Sequence, residues 1–274
     1  MALIINNNPS SIAAQRNLTN NTNQLQRSVE RLSSGLRITR AADDAAGLGV
    51  SETLRAHIRS INQATRNAND GISLTQVADG SASTIGNILS RLRELTTQAA
   101  SGTVGATERS YLDQEFGSLR SEIDRIASVS EFNGQALLSG PSNTFEVFIG
   151  FKSGAGNSLK LDLKDLDLTS IGLATVNIST SANAQSALSN IDSAISAVAT
   201  ARADYGSIQN RFEAAISNLQ VTSENFTAAE SRIRDADIAY ETSQFTKNQV
   251  LVQSGISVLA QANSIPRDAL ALLR

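Results

Sequence analysis

The residues of this sequence that could do chemistry lie in one short segment and at one histidine. The segment is RAADDAAGLGVSETLR, at residues 40–55, and it contains the adjacent carboxylates Asp43 and Asp44. Neighbouring carboxylates can bind a hard cation or exchange protons with a substrate. Asp at the start of a helix also accepts hydrogen bonds from free backbone N–H groups. We expect this structural role for the pair.

Other patterns for catalysis or cofactor binding are not supported. His57 is the single histidine and the chain has no cysteine, so a metal site of His and Cys ligands cannot form. Gly47 and Gly49 are followed by no Lys-Ser or Lys-Thr pair and preceded by no buried strand, which argues against a phosphate-binding loop. Without a second histidine or a suitable lysine, a nucleophilic triad is not supported either. We therefore expect a protein that is not an enzyme and has no cofactor or metal ion.

The composition narrows the function classes further. The 274 residues are 41% hydrophobic but only 4% aromatic, so a core would consist mainly of Ala, Ile, Leu and Val. With 23 basic and 26 acidic residues and no basic block, nucleic-acid binding is not expected. No apolar run approaches the roughly 18 residues of a membrane span, so we expect no membrane insertion. The N-terminal residues do not resemble a secretory signal peptide, and export would need another route.

Two amphipathic arms lie at opposite ends of the sequence. In the first arm, apolar residues recur at intervals of seven, four, three and four: Leu18, Leu25, Val29, Leu32 and Leu36. In the second, a similar series continues beyond Pro266: Ile238, Phe245, Val252, Ile256, Leu259, Leu270 and Leu273. This heptad spacing predicts helices that each pack against a partner. We expect the arms to pair with each other and with the arms of further copies.

Between the arms, the apolar periodicity predicts three helices, at residues 43–100, 106–130 and 184–230. Gly71 and Gly80 are expected to disturb the first of these helices. Because about 1.5 Å per residue makes that helix some 80 Å long, the sequence predicts an elongated molecule.

Residues 132–180 depart from the helical period and predict a β-rich region. FNG, at 132–134, signals a turn, and the segments TFEVFIG and SLKLDLK predict a β-hairpin with one buried face. The predicted fold class is therefore mainly α: an elongated antiparallel helical bundle or coiled coil with a small β-hairpin region and a discontinuous terminal helical domain. The predicted domains are an N-terminal arm, a central rod domain and a C-terminal arm, at residues 1–42, 43–232 and 233–274.

The segment around Asp43 predicts a joint between the first arm and the central rod. Its alanines, Gly47 and Gly49 leave little side-chain bulk, so another backbone could approach closely. SRIRDADIAYE, at 231–241, lies where the C-terminal arm begins. If the arms are antiparallel, we expect Asp43 and Asp44 to pair with Arg232 and Arg234. By the same argument, Arg37 or Arg40 would pair with Asp235 and Asp237.

The two ends of the chain resemble those of bacterial flagellins. RLSSGLRITRAADDAAGLGVSETLRAHIR, at 31–59, resembles the N-terminal signature of that family. SRIRDADIAYETSQFTKNQVLVQSGISVLAQANSIPRDALALLR, at 231–274, is similar to its C-terminal signature. The resemblance implies a filament subunit without variable outer domains. The arms would form the inner tube domain, and the central rod would form the next shell outward.

The resemblance also implies a set of partners. These are further copies of the chain, a flagellar export chaperone that binds the C-terminal arm, the cap protein at the filament tip and the hook-junction proteins. Export in an unfolded state agrees with the expectation of no signal peptide. A hook–filament junction protein and a secreted adhesin are the alternatives. An arm without a partner should stay disordered until neighbours bury its apolar stripe, because ordering costs about 1 to 2 kcal/mol per residue.

A further resemblance concerns ILSRLRELTTQAA, at residues 88–100. This segment is similar to the part of many flagellins that the vertebrate innate flagellin receptor recognises, and the matching positions are Arg91, Leu95 and Glu115. Ser90 stands where Gln is more usual. Leu95 also fits the apolar stripe of the bundle, and Arg91 and Glu115 could simply face solvent or pair within the subunit stack.

Overall fold

The computed structural model describes residues 7–140, 144–152, 154 and 156–271, with the backbone alone described for 266–271. Within these residues the chain forms five α-helices and two pairs of short strands. The helices are α1 (Pro9–Ser34), α2 (Ala45–Ala100), α3 (Ala106–Val129), α4 (Ser181–Arg234) and α5 (Ile238–Ala271). The strands are β1 (Glu131–Phe132), β2 (Gln135–Ala136), β3 (Thr144–Phe148) and β4 (Ser158–Asp162).

The predicted class, mainly α with a small β region, is confirmed, since helices account for about three quarters of the described residues. The three predicted central helices correspond to α2, α3 and α4, with ends that differ by a few residues. The expected disturbance of α2 is wrong, because the helix continues through Gly71 and Gly80. Packing of its apolar face outweighs the weak helix propensity of two glycines.

The predicted hairpin is confirmed as the antiparallel pair β3–β4, in which Val147 lies opposite Leu159 and Phe145 opposite Leu161. Leu159 and Leu161 of β4, and Leu163 directly after it, alternate with polar residues and are buried, so this segment has one inner face. A second, very short antiparallel pair, β1–β2, encloses the predicted turn at FNG. There Asn133 and Gly134 have positive φ angles of 51° and 75°, as a tight hairpin turn requires.

The chain divides into two compact units. The terminal unit comprises Met1–His57 and Asn225–Arg274, and the central unit comprises Ile58–Glu224. These limits lie inside α2 and α4 and differ from the predicted limits at 42/43 and 232/233. The first turns of α2 and the last turns of α4 contact each other within the terminal unit. For example, the ring centroids of His57 and Phe226 are 6.0 Å apart.

The central unit has a large apolar core. Helices α2, α3 and α4, strand β4 and the segment that follows it contribute to one hydrophobic cluster. Its largest fully buried side chains include Leu89, Leu92, Phe116, Ile123, Tyr205 and Phe212. Burying each side chain of this size is worth about 1.5 to 3 kcal/mol. The phenyl ring of Phe212 lies against Gly71, where an added Cβ would be 2.6 Å from the ring atom Cζ.

Polar contacts fix the arrangement around this core. Arg202 pairs with Asp79 at 2.8 Å, and Arg93 pairs with Asp192 at 2.6 Å, so α2 and α4 are antiparallel. On α3, Asp113 accepts a hydrogen bond of 2.8 Å from the backbone N–H of residue 178. This bond holds the irregular segment before α4 against α3.

Candidate functional site

Helices α1 and α5 of the terminal unit pack against each other along their length. The Asn8 side chain accepts a hydrogen bond from Ser11 N–H and so caps α1, while its amide donates to the Ala262 carbonyl at 2.7 Å. Further along, an added Cβ on Gly255 would lie 3.3 Å from Leu18 Cδ1. Asn8 lies beside Ala262, and Leu18, further along α1, lies beside Gly255, which comes earlier on α5. The predicted antiparallel pairing of the arms is therefore confirmed.

Most of the predicted arm stripe is only partly covered by this pairing. Seven predicted residues are half-buried: Leu18, Leu25, Leu32, Leu36, Phe245, Val252 and Leu259. Three others remain exposed, namely Val29 (48%), Ile238 (51%) and Ile256 (56%). The side chain of Leu270 and the whole of Leu273 lie outside the described residues. A single copy of the chain therefore leaves part of the stripe in water.

The terminal unit also exposes apolar side chains that do not belong to the predicted stripe. On α1, Ile12 is 64% exposed, and on α5 the exposed set includes Val250, Leu251, Val258 and Ile265. Val250, Val258 and Ile265 are spaced by eight and seven residues, so a second stripe on α5 was available in the sequence. A helix that is apolar on more than one face is typical of an element buried on several sides.

A short irregular segment, residues 35–44, connects α1 to α2 and carries the predicted joint. Helix α1 ends at Gly35, whose φ of 72° is the left-handed conformation common after a helix. The next residues form an antiparallel bridge with the chain between α4 and α5, where Leu36 lies opposite Asp235. The Arg37 N–H donates to the Arg234 carbonyl at 2.7 Å. Backbone hydrogen bonds thus tie the two ends of the chain together here.

Asp43 and Asp44 hold the local structure of this segment. Asp44 accepts a hydrogen bond of 2.8 Å from the Gly47 N–H and thereby caps α2, as predicted. Asp43 accepts from Thr39 N–H, Thr39 Oγ1 and Arg40 N–H at 3.1 to 3.2 Å. Burial raises the pKa of Asp43, but the hydrogen bonds from Arg40 and Thr39 outweigh it and lower the pKa below its ordinary value of 3.8.

The predicted ion pairs of the joint are wrong. Asp43 lies 4.0 Å from Arg31, and Arg234 pairs with Glu52 at 2.6 Å. The hydrogen bond from Arg234 lowers the pKa of Glu52 below its ordinary value of 4.5. Arg232 lies in the last turn of α4.

The expected partners of Arg37 and Arg40 are wrong as well. Arg37 donates to the Ile233 carbonyl at 2.6 Å, and Arg40 pairs with Glu30 at 2.6 Å. Because the chain turns back after Gly35, each side chain meets groups that sequence position alone did not indicate.

The two glycines of the joint lie inside α2, not in the irregular segment. An added Cβ on Gly47 would clash with the Asp44 carboxylate and lie 3.0 Å from Ile38 Cδ1, so close packing explains this glycine. Around Gly49, no described atom other than its chain neighbours and the nearby backbone of α2 lies within 4 Å of the corresponding position, so among the described residues no other backbone approaches it.

The predicted receptor positions are divided between the surface and the core of the central unit. Arg91 donates hydrogen bonds to Glu94 and to Glu115, each at 2.9 Å. Both bonds raise the pKa of Arg91, and the bond to Glu94 has the larger effect. The side chains of Arg91 and Glu115 are about half exposed, whereas Leu95 is 1% exposed. Leu95 therefore belongs to the bundle stripe in this structure.

The described helices contain no stretch that is both long and apolar enough to cross a membrane. Over the same residues, no group of three or more His, Asp or Glu side chains is placed to hold a metal ion.

Comparison with protein-family models gives two matches. The bacterial flagellin N-terminal helical region matches residues 5–143, and the bacterial flagellin C-terminal helical region matches residues 188–273. Together they include α1 to α3 and most of α4 and α5.

Known proteins match over the whole chain. A flagellin of Halalkalibacterium halodurans is 46% identical, with 99% of this chain and all of that protein covered. The flagellar filament 33 kDa core protein of Treponema phagedenis is 42% identical with the same coverage. Among solved structures, the Bacillus cereus flagellin is 33% identical, covers 60% of this chain and 94% of its own, and superposes with a TM-score of 0.51.

Proposed function

This chain belongs to the bacterial flagellin family, and we propose that its terminal unit is the part through which copies polymerise into the flagellar filament. The role of the chain is that of a structural subunit of that filament. The family is one of structural proteins, and we propose that the chain has no catalytic activity of its own.

The observation that supports this assignment is the incomplete burial of the α1–α5 pair. Three predicted stripe residues and a second set on α5 are exposed in the single chain. Burying one Val, Leu or Ile side chain is worth about 1.5 to 3 kcal/mol, so copies that cover these faces gain a large free energy. Further copies of the same chain supply helices with the same apolar spacing, which makes them suitable partners.

Order in the terminal unit would then depend on assembly. The described part of the unit buries few apolar side chains, and ordering each residue costs about 1 to 2 kcal/mol. We propose that the arms are largely unfolded in the free subunit and that the chain is exported unfolded from the cell. The exposed face of α5 is then suited to an export chaperone before secretion, and to the cap and hook-junction proteins afterwards.

Among the alternatives considered, the filament subunit is favoured. The curated relatives at more than 40% identity cover nearly the whole chain and include a filament core protein. A hook–filament junction protein is not favoured by these matches. An adhesin would need an exposed specialised surface, and β1 to β4 form only two small strand pairs in the described part of residues 131–180.

The test is elongation of filament seeds, observed by electron microscopy. The full chain should elongate seeds, whereas a variant lacking residues 1–40 and 235–274 should remain a helical monomer. A full chain that caps seeds would instead support the junction protein. As a second readout, mild proteolysis of the free subunit should remove both ends and leave residues 50–230, and equal resistance of the ends would contradict coupled folding.

A second proposal concerns host recognition of the filament protein by the innate flagellin receptor. It is supported by the exposed Arg91–Glu115 pair, which joins α2 to α3 on the surface of the central unit. Since Leu95 is buried, we assign any direct contact to Arg91 and Glu115. Arg91→Ala combined with Glu115→Ala should reduce the receptor response at least tenfold, an effect of the size seen for interface hot spots.

The matched control is Arg93→Ala, which also removes a half-exposed arginine of α2 but breaks a pair with Asp192 on α4. An equal receptor response for the double variant, the control and the unmodified chain would reject this contact.

A further inference from the structure

A polar cavity lies between α1 and α5 of the terminal unit. Its volume is about 220 Å³, and its lining includes Arg27, Ser28 and Arg31 on α1 and Glu241 and Asn248 on α5. Ser28 and Asn248 are 4% and 5% exposed, so two polar side chains are almost completely buried at this point of the helix pair. Such burial is unfavourable unless the polar groups form hydrogen bonds.

These polar groups form no hydrogen bonds inside the subunit. Among the described residues, neither the Ser28 hydroxyl nor the Asn248 amide has a hydrogen-bond partner, although buried polar groups are nearly always satisfied. Arg27 has neither a hydrogen bond nor a carboxylate within ion-pair distance over the same residues. The polar atoms of Ser28 and Asn248 are not sealed from solvent, since the sealed side-chain atoms without a hydrogen-bond partner among the described residues belong to Asp165 and Arg234. Water or a ligand in the cavity therefore completes their hydrogen bonds.

The lining is rich in hydrogen-bond donors. Each arginine has five N–H donors and no acceptor, and the buried Asn248 and Ser28 add three more. The lining also contains one carboxylate, Glu241, which is 6% exposed. Arg31 lies 3.6 Å from Glu241 and 4.0 Å from Asp43 without a hydrogen bond to either, so it offsets this negative charge and leaves Arg27 as the arginine of the lining without a carboxylate partner among the described residues. A ligand that only accepts hydrogen bonds and carries negative charge would complement such a site.

We propose that this cavity binds a small oxyanion, with Arg27 as the charged donor, Ser28 and Asn248 as neutral donors, and Arg31 offsetting the charge of Glu241. The oxyanion is either a free inorganic anion or the carboxylate of an acidic side chain from a neighbouring copy of the chain. Because the cavity exists only when α1 and α5 are paired, its ligand stabilises the ordered state of the terminal unit.

The experiment uses circular dichroism of the full-length chain to measure two quantities: the melting temperature of filaments, and the helical content of free subunits, in which a ligand of the cavity would order the arms. Sulfate is titrated against chloride at constant ionic strength and at millimolar concentration, where general exclusion effects of sulfate are small. The unmodified chain is compared with Arg27→Gln. Arg16→Gln is the matched control, since Arg16 is also an exposed arginine of α1 but does not line the cavity.

Binding of a free anion predicts that sulfate raises the melting temperature and that Arg27→Gln moves the titration midpoint to an at least roughly tenfold higher concentration. Arg16→Gln should leave the midpoint unchanged. If a neighbour's carboxylate is the ligand, Arg27→Gln should lower the melting temperature of filaments without any sulfate dependence in the unmodified chain. Equal melting of all three chains at every sulfate concentration would overturn the proposal and leave only water in the cavity.

Arg27→Lys addresses the case in which Arg27→Gln does not assemble. It retains the positive charge but loses the planar donor geometry, so the anion effect should be weakened and not abolished. Unaltered sulfate dependence in Arg27→Lys and Arg27→Gln subunits would also contradict the site. Failure of the unmodified chain to form filaments would contradict the proposed function. A sulfate-dependent rise in the helical content of its free subunits, absent in Arg27→Gln, would still support the cavity, and no rise would contradict it.

Discussion

The terminal and central units have similar apolar periodicity but very different burial. In the central unit, stripe residues such as Leu92, Ile123 and Phe212 are fully buried. In the described part of the terminal unit, the buried apolar side chains are Ile38 and Ala262 alone. Periodicity therefore locates an apolar face, but it does not show whether one chain is sufficient to cover that face.

Two buried polar side chains on the helices of each unit also differ in their hydrogen bonds. In the central unit, the hydroxyls of Thr75 and Thr96 donate to carbonyls of their own helix at 2.8 and 2.6 Å. In the terminal unit, Ser28 and Asn248 are equally buried but have no such partner among the described residues. Each unit also has an exception, since Asp165 Oδ1 of the central unit is buried without a partner and Ser51 of the terminal unit donates to the Leu48 carbonyl at 3.0 Å. Ser28 and Asn248 differ from these groups because they line a cavity.

The largest expected effect comes from placing a charge on the exposed face of the terminal unit. Ile256→Asp should raise the critical concentration for filament growth by more than roughly 1000-fold, because an unpaired carboxylate buried between copies costs several kcal/mol. Melting of the free subunit should not change, since Ile256 is 56% exposed there. The control is Ser254→Asp, an exposed position on the same helix. Normal growth by the Ile256 variant would show that this face is not buried in the filament.

Removing one aromatic ring from each unit should separate them clearly. Phe212→Ala should lower the free energy of unfolding of the free subunit by about 3 to 5 kcal/mol, because the ring is completely buried. Phe245→Ala in the half-buried stripe of α5 should have little effect on the subunit but should weaken filaments. Urea titration of free subunits and of filaments measures both quantities. Similar losses for the two variants in the free subunit would remove the distinction between the units.

Two glycines of α2 allow a smaller comparison within the central unit. Gly71→Ala should destabilise it by about 1 to 3 kcal/mol, because the new Cβ would overlap the Phe212 ring. Gly80→Ala should stabilise it by about 0.5 to 1 kcal/mol, since no described atom lies within 4 Å and alanine favours the helix. Thermal melting of both variants checks the sign of each effect. Stabilisation by Gly71→Ala would mean that the Phe212 ring can move aside.

The smallest expected effect is the acid sensitivity of the joint. Because the pKa of Asp43 is lowered by folding, its contribution to stability is present above its ordinary value of 3.8 and is lost as pH falls through the folded pKa. Asp43→Asn should cost less than about 1 kcal/mol at neutral pH and should remove this part of the acid dependence. The melting temperature of filaments of both chains, recorded between pH 6 and 3, measures the contribution of Asp43 to acid sensitivity. An unchanged acid profile in Asp43→Asn would exclude this carboxylate as a contributor.

Much of the fold follows from local patterns in the sequence. Heptad spacing identifies all five helices, FNG identifies the turn, and the position of Asp44 before an alanine-rich segment identifies a helix cap. The alternation at Leu159, Leu161 and Leu163 identifies the inner face of β4. Each of these features depends on residues within a few positions of each other, so no knowledge of the tertiary arrangement is needed.

The joint is less predictable because its contacts join distant parts of the chain. The sequence places complementary charges near both ends, but the path of residues 35–44 decides which of them meet. That path brings Arg31 to Asp43 and leaves Arg234 with Glu52. The polar cavity was not predicted for a similar reason: Ser28 and Asn248 are ordinary surface residue types until α1 and α5 pack together.

The pairing of α1 with α5 also has a consequence for timing during synthesis. Asn8 contacts Ala262, a partner 254 positions away along the chain. At about 5 to 20 residues per second, a ribosome needs roughly 13 to 50 seconds to make the residues between them. Throughout that interval the first arm has been translated while its partner helix does not yet exist. Every newly made copy therefore spends tens of seconds with the apolar stripe of an amphipathic helix-forming segment open to other proteins in the cell, however stable the finished filament is.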